Sequence, residues 1–197
     1  MAVVNGDPAW CRHATGVTTA GGTFDHWTIH AGSNPEIEAR CAAWVRRNLR
    51  GYTGMLNVET IGGTIIEAHL RFSDQWPDLY GAGWVEALVG LYSNRAWRFP
   101  DADRRDGFSV ILFAPHGRRY RHPTAELIES VKRIPSVSSI QIPFHEGRAP
   151  EDHAMPPGGF RVAIVNAWDL EGGRVAREQL ATHFLSDAPL GGIRAIG

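Results

Sequence analysis

A chain of 197 residues is long enough to bury a sizeable core, either as one domain or as two small ones sharing a sheet. A formal charge of −1 and a pI near 6.8 leave no basic excess for a phosphate backbone, which argues against a nucleic-acid partner. No apolar run approaches the roughly 20 residues that span a bilayer, no signal-peptide pattern opens the chain, and Cys11 and Cys41 fit no metal-ligand spacing. The expectation is a cytoplasmic protein with no membrane contact.

In chain order, apolar residues 2–4, the Gly6-Asp7-Pro8 turn signal and a run near 9–13 read as short strands. Residues 23–30 alternate with substantial side chains on both faces, the pattern of a strand inside a sheet. Asn34-Pro35-Glu36 combines a capping side chain, a proline at the first helical position and an early acid, and Ile37, Cys41, Trp44, Val45 and Leu49 recur at helical spacing. A helix over 35–49 follows, ended by Gly51 and Gly54. Strands over 55–61 and 64–72 are joined at Gly62-Gly63, and a further helix falls within 83–92.

The polar stretch 101–107 marks a subdomain boundary, giving units 1–100 and 101–197. Beyond it the pattern predicts strand 107–114, helix 123–133, strand 137–143, strand 160–167 and helix 171–185. Met155-Pro156-Pro157-Gly158-Gly159 reads as a rigid connector, with a mobile lid as the alternative. The fold class is α+β, a mixed and mainly antiparallel sheet with helices packed on one face.

The chemistry concentrates in the hairpin. Alternation puts Ile66, Ala68, Leu70 and Phe72 on one side of its second strand and Ile65, Glu67, His69 and Arg71 on the other. On the first strand Leu56 and Val58 go to the core, leaving Asn57 and Glu59 for the polar face. A three-residue loop over 62–64 puts Glu59 directly opposite Glu67, whereas a two-residue Gly62-Gly63 loop puts them on opposite faces; the three-residue loop is the expectation. Two carboxylates about 4 Å apart repel by roughly 4 kcal/mol at an effective dielectric near 20, so such a pair calls for a cation. Carboxylate oxygens favour magnesium or manganese, which share their coordination with phosphates and water, and Arg71 could hold a phosphate or carboxylate by its fork. The competing reading is an exposed face with a Glu67–Arg71 ion pair.

Asn57-Val58-Glu59 followed by Ile65-Ile66-Glu67-Ala68-His69-Leu70-Arg71 resembles the ATP-grasp pattern, a strand glutamate followed by a Glu-x-Asn-x-Arg strand. The resemblance covers roughly residues 2–97 and corresponds to the distal half of that fold. It implies that Glu59, Glu67 and His69 hold magnesium–ATP and that Arg71 clamps an acyl phosphate or acceptor; beside these, Asn57 is a further cofactor contact, and Arg12 either lines one anion site with Arg71 or simply sits at a strand edge. It further implies a carboxylate–amine ligase component acting on a small-molecule carboxylate. The family's first half, with its ATP-holding lysines, would precede this segment, and the single lysine here, Lys132, does not replace them. A partner chain supplying that lobe, or a homo-oligomer, is therefore expected. His69 stands where the family has asparagine, which opens manganese or zinc beside magnesium.

Two other readings compete: a non-catalytic module that binds a metabolite or partner, and a metal-dependent hydrolase built on His69, Glu67 and nearby histidines. His13, His26 and His30 come from strands able to flank the hairpin, and the basic loop 116–122 is a weaker phosphate candidate. Trp76, Trp84 and Trp97 are expected in the core, and Asp78 is expected to cap a helix.

Overall fold

The structure is a computed structural model that describes residues 1–153 and 159–185. Of the connector 155–159, all but Gly159 lies outside the described residues. The described elements run β1 (Ala2–Val4), β2 (Asp7–Trp10), β3 (Ala14–Thr18), β4 (Phe24–Ile29), α1 (Pro35–Asn48), β5 (Gly54–Met55), β6 (Asn57–Ile61), β7 (Thr64–His69), a 3₁₀ turn (Pro77–Tyr80), α2 (Trp84–Asn94), β8 (Gly107–Ala114), α3 (Ala125–Lys132), β9 (Val137–Gln141), β10 (Phe160–Ala167) and α4 (Leu170–Leu185). This is an α+β protein whose strand pairs are all antiparallel among the described residues.

The largest sheet has five strands in the order β3-β4-β8-β10-β9. Its β4–β8 pairing, with His26 opposite Val110 and Ile29 opposite Gly107, joins strands from either side of residue 100. The two halves of the sequence therefore share one sheet. The segment after residue 100 is tethered as well, because Asp101 accepts from Trp10 Nε1 at 2.8 Å and from Arg104 Nε at 2.6 Å. Trp168 carries the Arg105 guanidinium 3.6 Å above its ring.

Successive residues of β10 point to opposite faces of the sheet. Val165 belongs to the core under α3 and α4, together with Leu112, Val131, Ala176, Leu180 and Phe184. Asn166 points the other way and donates to Gln75 O and Asp78 Oδ1, both at 2.7 Å, beside the 3₁₀ turn. Asp78 thus bridges to the sheet instead of capping a helix. The core on this side is aromatic: Trp76, Tyr80 and Trp84 are buried, with Trp10, Trp27, Phe72, Trp97 and Phe99 packed around them. Such rings bury the largest area per residue, and Trp76 satisfies its N–H on Tyr80 Oη at 3.0 Å.

A second sheet, β2-β1-β5, lies under α1, where Val3, Val45 and Leu56 are buried together. The helix starts as its sequence requires. Asn34 accepts from Ile37 N at 3.2 Å, and Glu38 Oε1 accepts in return from Asn34 N at 3.2 Å, satisfying two backbone donors at the helix start. The third sheet is the β6–β7 hairpin alone. Residue 56, assigned to its first strand from sequence, lies between β5 and β6 and enters the core under α1. Gly63 at the hairpin tip approaches Arg40 of α1, whose guanidinium nitrogen would sit 3.1 Å from an added Cβ.

No helix among the described residues is long and apolar enough to cross a membrane.

Candidate metal centre

The hairpin turn is two residues long, not three: Ile61 pairs with Thr64, and Gly62 and Gly63 have φ of 56° and 80°. Positive φ at both central residues is the requirement of a type I′ turn, which glycine meets without strain. By simple counting this loop would set Glu59 opposite Ile66. A β-bulge intervenes, since the pairing jumps from Thr60↔Ile65 to Glu59↔Glu67, leaving Ile66 as the extra residue on β7. Glu59 therefore does face Glu67, through a route different from the expected loop. The next pair on that face is Asn57 opposite His69.

One ligand atom from each of Glu59, Glu67 and His69 lies within 4.8 Å of the other two. His69 Nε2 contacts Glu67 Oε1 at 3.0 Å, so Glu67 is paired with the imidazole and not with Arg71. The face is open: the Glu67 side chain is 53% exposed and Glu59 is exposed. Two acids and an imidazole, converging and solvent-accessible, are a donor set suited to a divalent cation with positions left for phosphate or water.

The expected apolar face of β7 is not buried. Ile66 and Leu70 are 56% and 60% exposed, as is Ile61 at 69%, and only Phe72 of that series reaches the aromatic core. The physical reason is that, among the described elements, the two hairpin strands pack extensively only against each other, which leaves these side chains facing solvent. Strand β7 also ends at His69, two residues short of Arg71. Arg71 is consequently out of the strand register and donates to Phe72 O at 3.1 Å.

Arg12 is placed elsewhere. Its side chain is 2% exposed and donates to Asp101 Oδ1 at 3.3 Å, His30 O at 3.3 Å and Tyr80 O at 3.4 Å, none of them hairpin groups. Burial pulls its pKa down and Asp101 opposes that pull. It braces the second half of the chain against the first. The three flanking histidines are similarly engaged: His13 with Glu38 at 2.9 Å, His26 with Asp25 at 2.8 Å and His30 with Thr15 at 2.8 Å. In the basic loop, Tyr120 is buried and bonded to Pro115 O at 2.6 Å, and His122 is held through Glu146 and Phe144 O.

Sequence reasoning missed one constellation. Cys11, His13 and Glu38 each offer a ligand atom within 4.8 Å of the others. The Cys-x-His spacing was the available signal, but the third member arrives from α1, 25 residues beyond His13. Comparison with known proteins finds no family model that matches the chain and no match among curated proteins.

Proposed function

We propose that the hairpin face Asn57/Glu59/Glu67/His69 is the metal-holding half of an ATP-grasp-type nucleotide site, and that the protein is a component of a carboxylate–amine ligase. The observation that carries this reading is the register setting Glu59 across from Glu67 and Asn57 across from His69 on one open face. Magnesium or manganese held there would neutralise phosphate charge as a small carboxylate is activated to an acyl phosphate, and an amine would then displace the phosphate. In that chemistry the protein positions groups and screens charge. Glu59 and Glu67 are the ligands, His69 a third donor, Asn57 its cross-strand neighbour. Arg71, exposed and outside the strand, is the anion contact for the acyl phosphate; Arg12, committed to Asp101, is left out of the site.

A second lobe, in cis or from a partner chain, completes the site in this reading. The support is twofold. Lys132, the single lysine, sits in α3 paired with Glu129 at 3.1 Å, so the sequence offers no lysine for an ATP phosphate at the hairpin. In addition, Ile61, Ile66 and Leu70 leave apolar surface exposed beside the acidic face.

Calorimetric titration of magnesium–ATP and manganese–ATP into the wild type and Glu67→Ala tests this, with circular dichroism confirming that both are folded. Binding to wild type that is lost in the variant is the expected result. A folded wild type that binds neither complex, alone or with a candidate second lobe added, would overturn the nucleotide-site reading and leave a non-catalytic binding module.

A further inference from the structure

The Cys11/His13/Glu38 cluster lies outside the hairpin and has different chemistry. Cys11 and His13 sit on the short link between β2 and β3, and Glu38 stands on the first turn of α1. Every member is anchored through its backbone or its carboxylate. Arg104 donates to Cys11 O at 2.6 Å, His30 N donates to His13 O at 2.9 Å, and Glu38 Oε1 accepts from Asn34 N at 3.2 Å. The cluster is half-buried, with the His13 and Glu38 side chains 22% and 31% exposed.

We propose that Cys11, His13 and Glu38 form a second metal site, selective for zinc or a similar borderline-soft ion and independent of the hairpin. A thiolate, an imidazole and a carboxylate are the donor types that zinc takes, and three protein ligands leave a fourth position for water or a substrate atom. Magnesium is disfavoured by sulfur and by a ligand set with a single carboxylate. The geometry needs little change. Zinc–nitrogen and zinc–oxygen bonds of about 2.0–2.1 Å at tetrahedral angles hold those two atoms roughly 3.3–3.4 Å apart. His13 Nε2 and Glu38 Oε1 are 2.9 Å apart, so rotation of two side chains by about half an ångström admits the ion. Loading would release the thiol proton, break the His13–Glu38 hydrogen bond and leave the imidazole proton on Nδ1, so that thiolate, Nε2 and carboxylate all face the ion.

A cysteine nucleophile activated by a His–Glu pair is the rival use of the same residues, and the arrangement opposes it. The imidazole bonds to Glu38 through Nε2, and the Cys11 sulfur lies within 4.8 Å of both groups, so the histidine is not interposed between acid and nucleophile as a relaying base must be.

The test is cobalt(II) substitution in the full chain after chelator treatment, reading the thiolate-to-cobalt charge-transfer band, followed by competition with zinc. The wild type is expected to show the band, and zinc to abolish it. Cys11→Ser should remove the band, and His13→Gln should weaken the cobalt binding that the band reports at least about tenfold, while Glu67→Gln in the hairpin leaves the band unchanged whatever it does to cobalt held by the hairpin. Circular dichroism of each variant reports folding, and His13→Gln, which keeps the thiol, carries the test should Cys11→Ser misfold. Absence of the band in folded wild type, or a band that survives Cys11→Ser or depends on Glu67, would overturn the assignment.

Discussion

Replacing Glu59 by glutamine should raise the stability of the metal-free protein and lower that of the metal-loaded one. Glu59 and Glu67 present oxygens within 4.8 Å of each other on an exposed face, so the water-like dielectric applies. Their repulsion is then about 332/(80 × 4.8), or roughly 0.9 kcal/mol. Unfolding entropy of about 2.1 cal/mol/K per residue over the chain gives roughly 0.4 kcal/mol/K, so Glu59→Gln in chelator should melt about 2 °C higher. With a divalent cation at a hundred times its Kd the wild type gains about 2.7 kcal/mol, or roughly 7 °C. A variant whose affinity falls about a hundredfold gains only about 0.4 kcal/mol, or roughly 1 °C, at the same concentration. The order of melting temperatures therefore inverts, by about 4 °C in favour of wild type. Thermal melts by circular dichroism in chelator and in manganese measure both increments. A variant less stable than wild type in chelator, or one that gains as much from manganese, would refute the reasoning.

Two further outcomes follow from the packing and the charges. Gly173 of α4 lies on β8, where an added Cβ would sit 2.9 Å from Val110 Cγ2 and 3.3 Å from Ala167 Cβ. Gly173→Ala should cost about 1–3 kcal/mol in overpacking, against roughly 1 kcal/mol of improved helix propensity, for a net loss near 1 kcal/mol in urea denaturation; a net gain would mean that α4 rides higher on the sheet. Asp25 is partly desolvated, which alone raises its pKa, but hydrogen bonds from Arg177, His26 and Arg174 outweigh that and hold it well below the usual carboxylate range. A depressed folded pKa stabilises the fold above the unfolded value near 3.9, and that stabilisation is lost as pH falls through the folded value. Asp25→Asn should accordingly be about 1–2 kcal/mol less stable than wild type at pH 7, with the gap closing below about pH 4; a gap independent of pH would contradict the charge-based account.

Local chemistry made α1 legible, because Asn34 and Pro35 specify its start without help from the rest of the molecule. Strand β4 was legible for a similar reason, its two substantial faces marking a central position that the β3 and β8 pairings fill. What escaped depends on partners distant in sequence. Residues 55 and 56, read as the start of the hairpin, instead join β1 and the core under α1, and Ile66 and Leu70 follow a core-strand pattern yet stand exposed. Arg12 read as an anion ligand because nothing local reveals Asp101, 89 positions later. Cys11 and His13 lacked only Glu38, which the loop and helix start bring back to them.

The bulge at Ile66 makes the hairpin centre a matter of parity. Every cross-strand pair in a regular two-residue hairpin shares one sum of positions, and Ile61↔Thr64 and Thr60↔Ile65 obey it, while Glu59↔Glu67 exceeds it by one. Deleting Ile66 would keep the turn and restore a regular register in which Glu67 still lies opposite Glu59 on the same face. A single insertion or deletion at 60–61 or 64–65, by contrast, slips Glu59 against Glu67 by one position and sends the two carboxylates to opposite faces. Loss of the bulge residue is thus a length change that hands the acidic face down intact, because it removes an irregularity and not a step of the alternation.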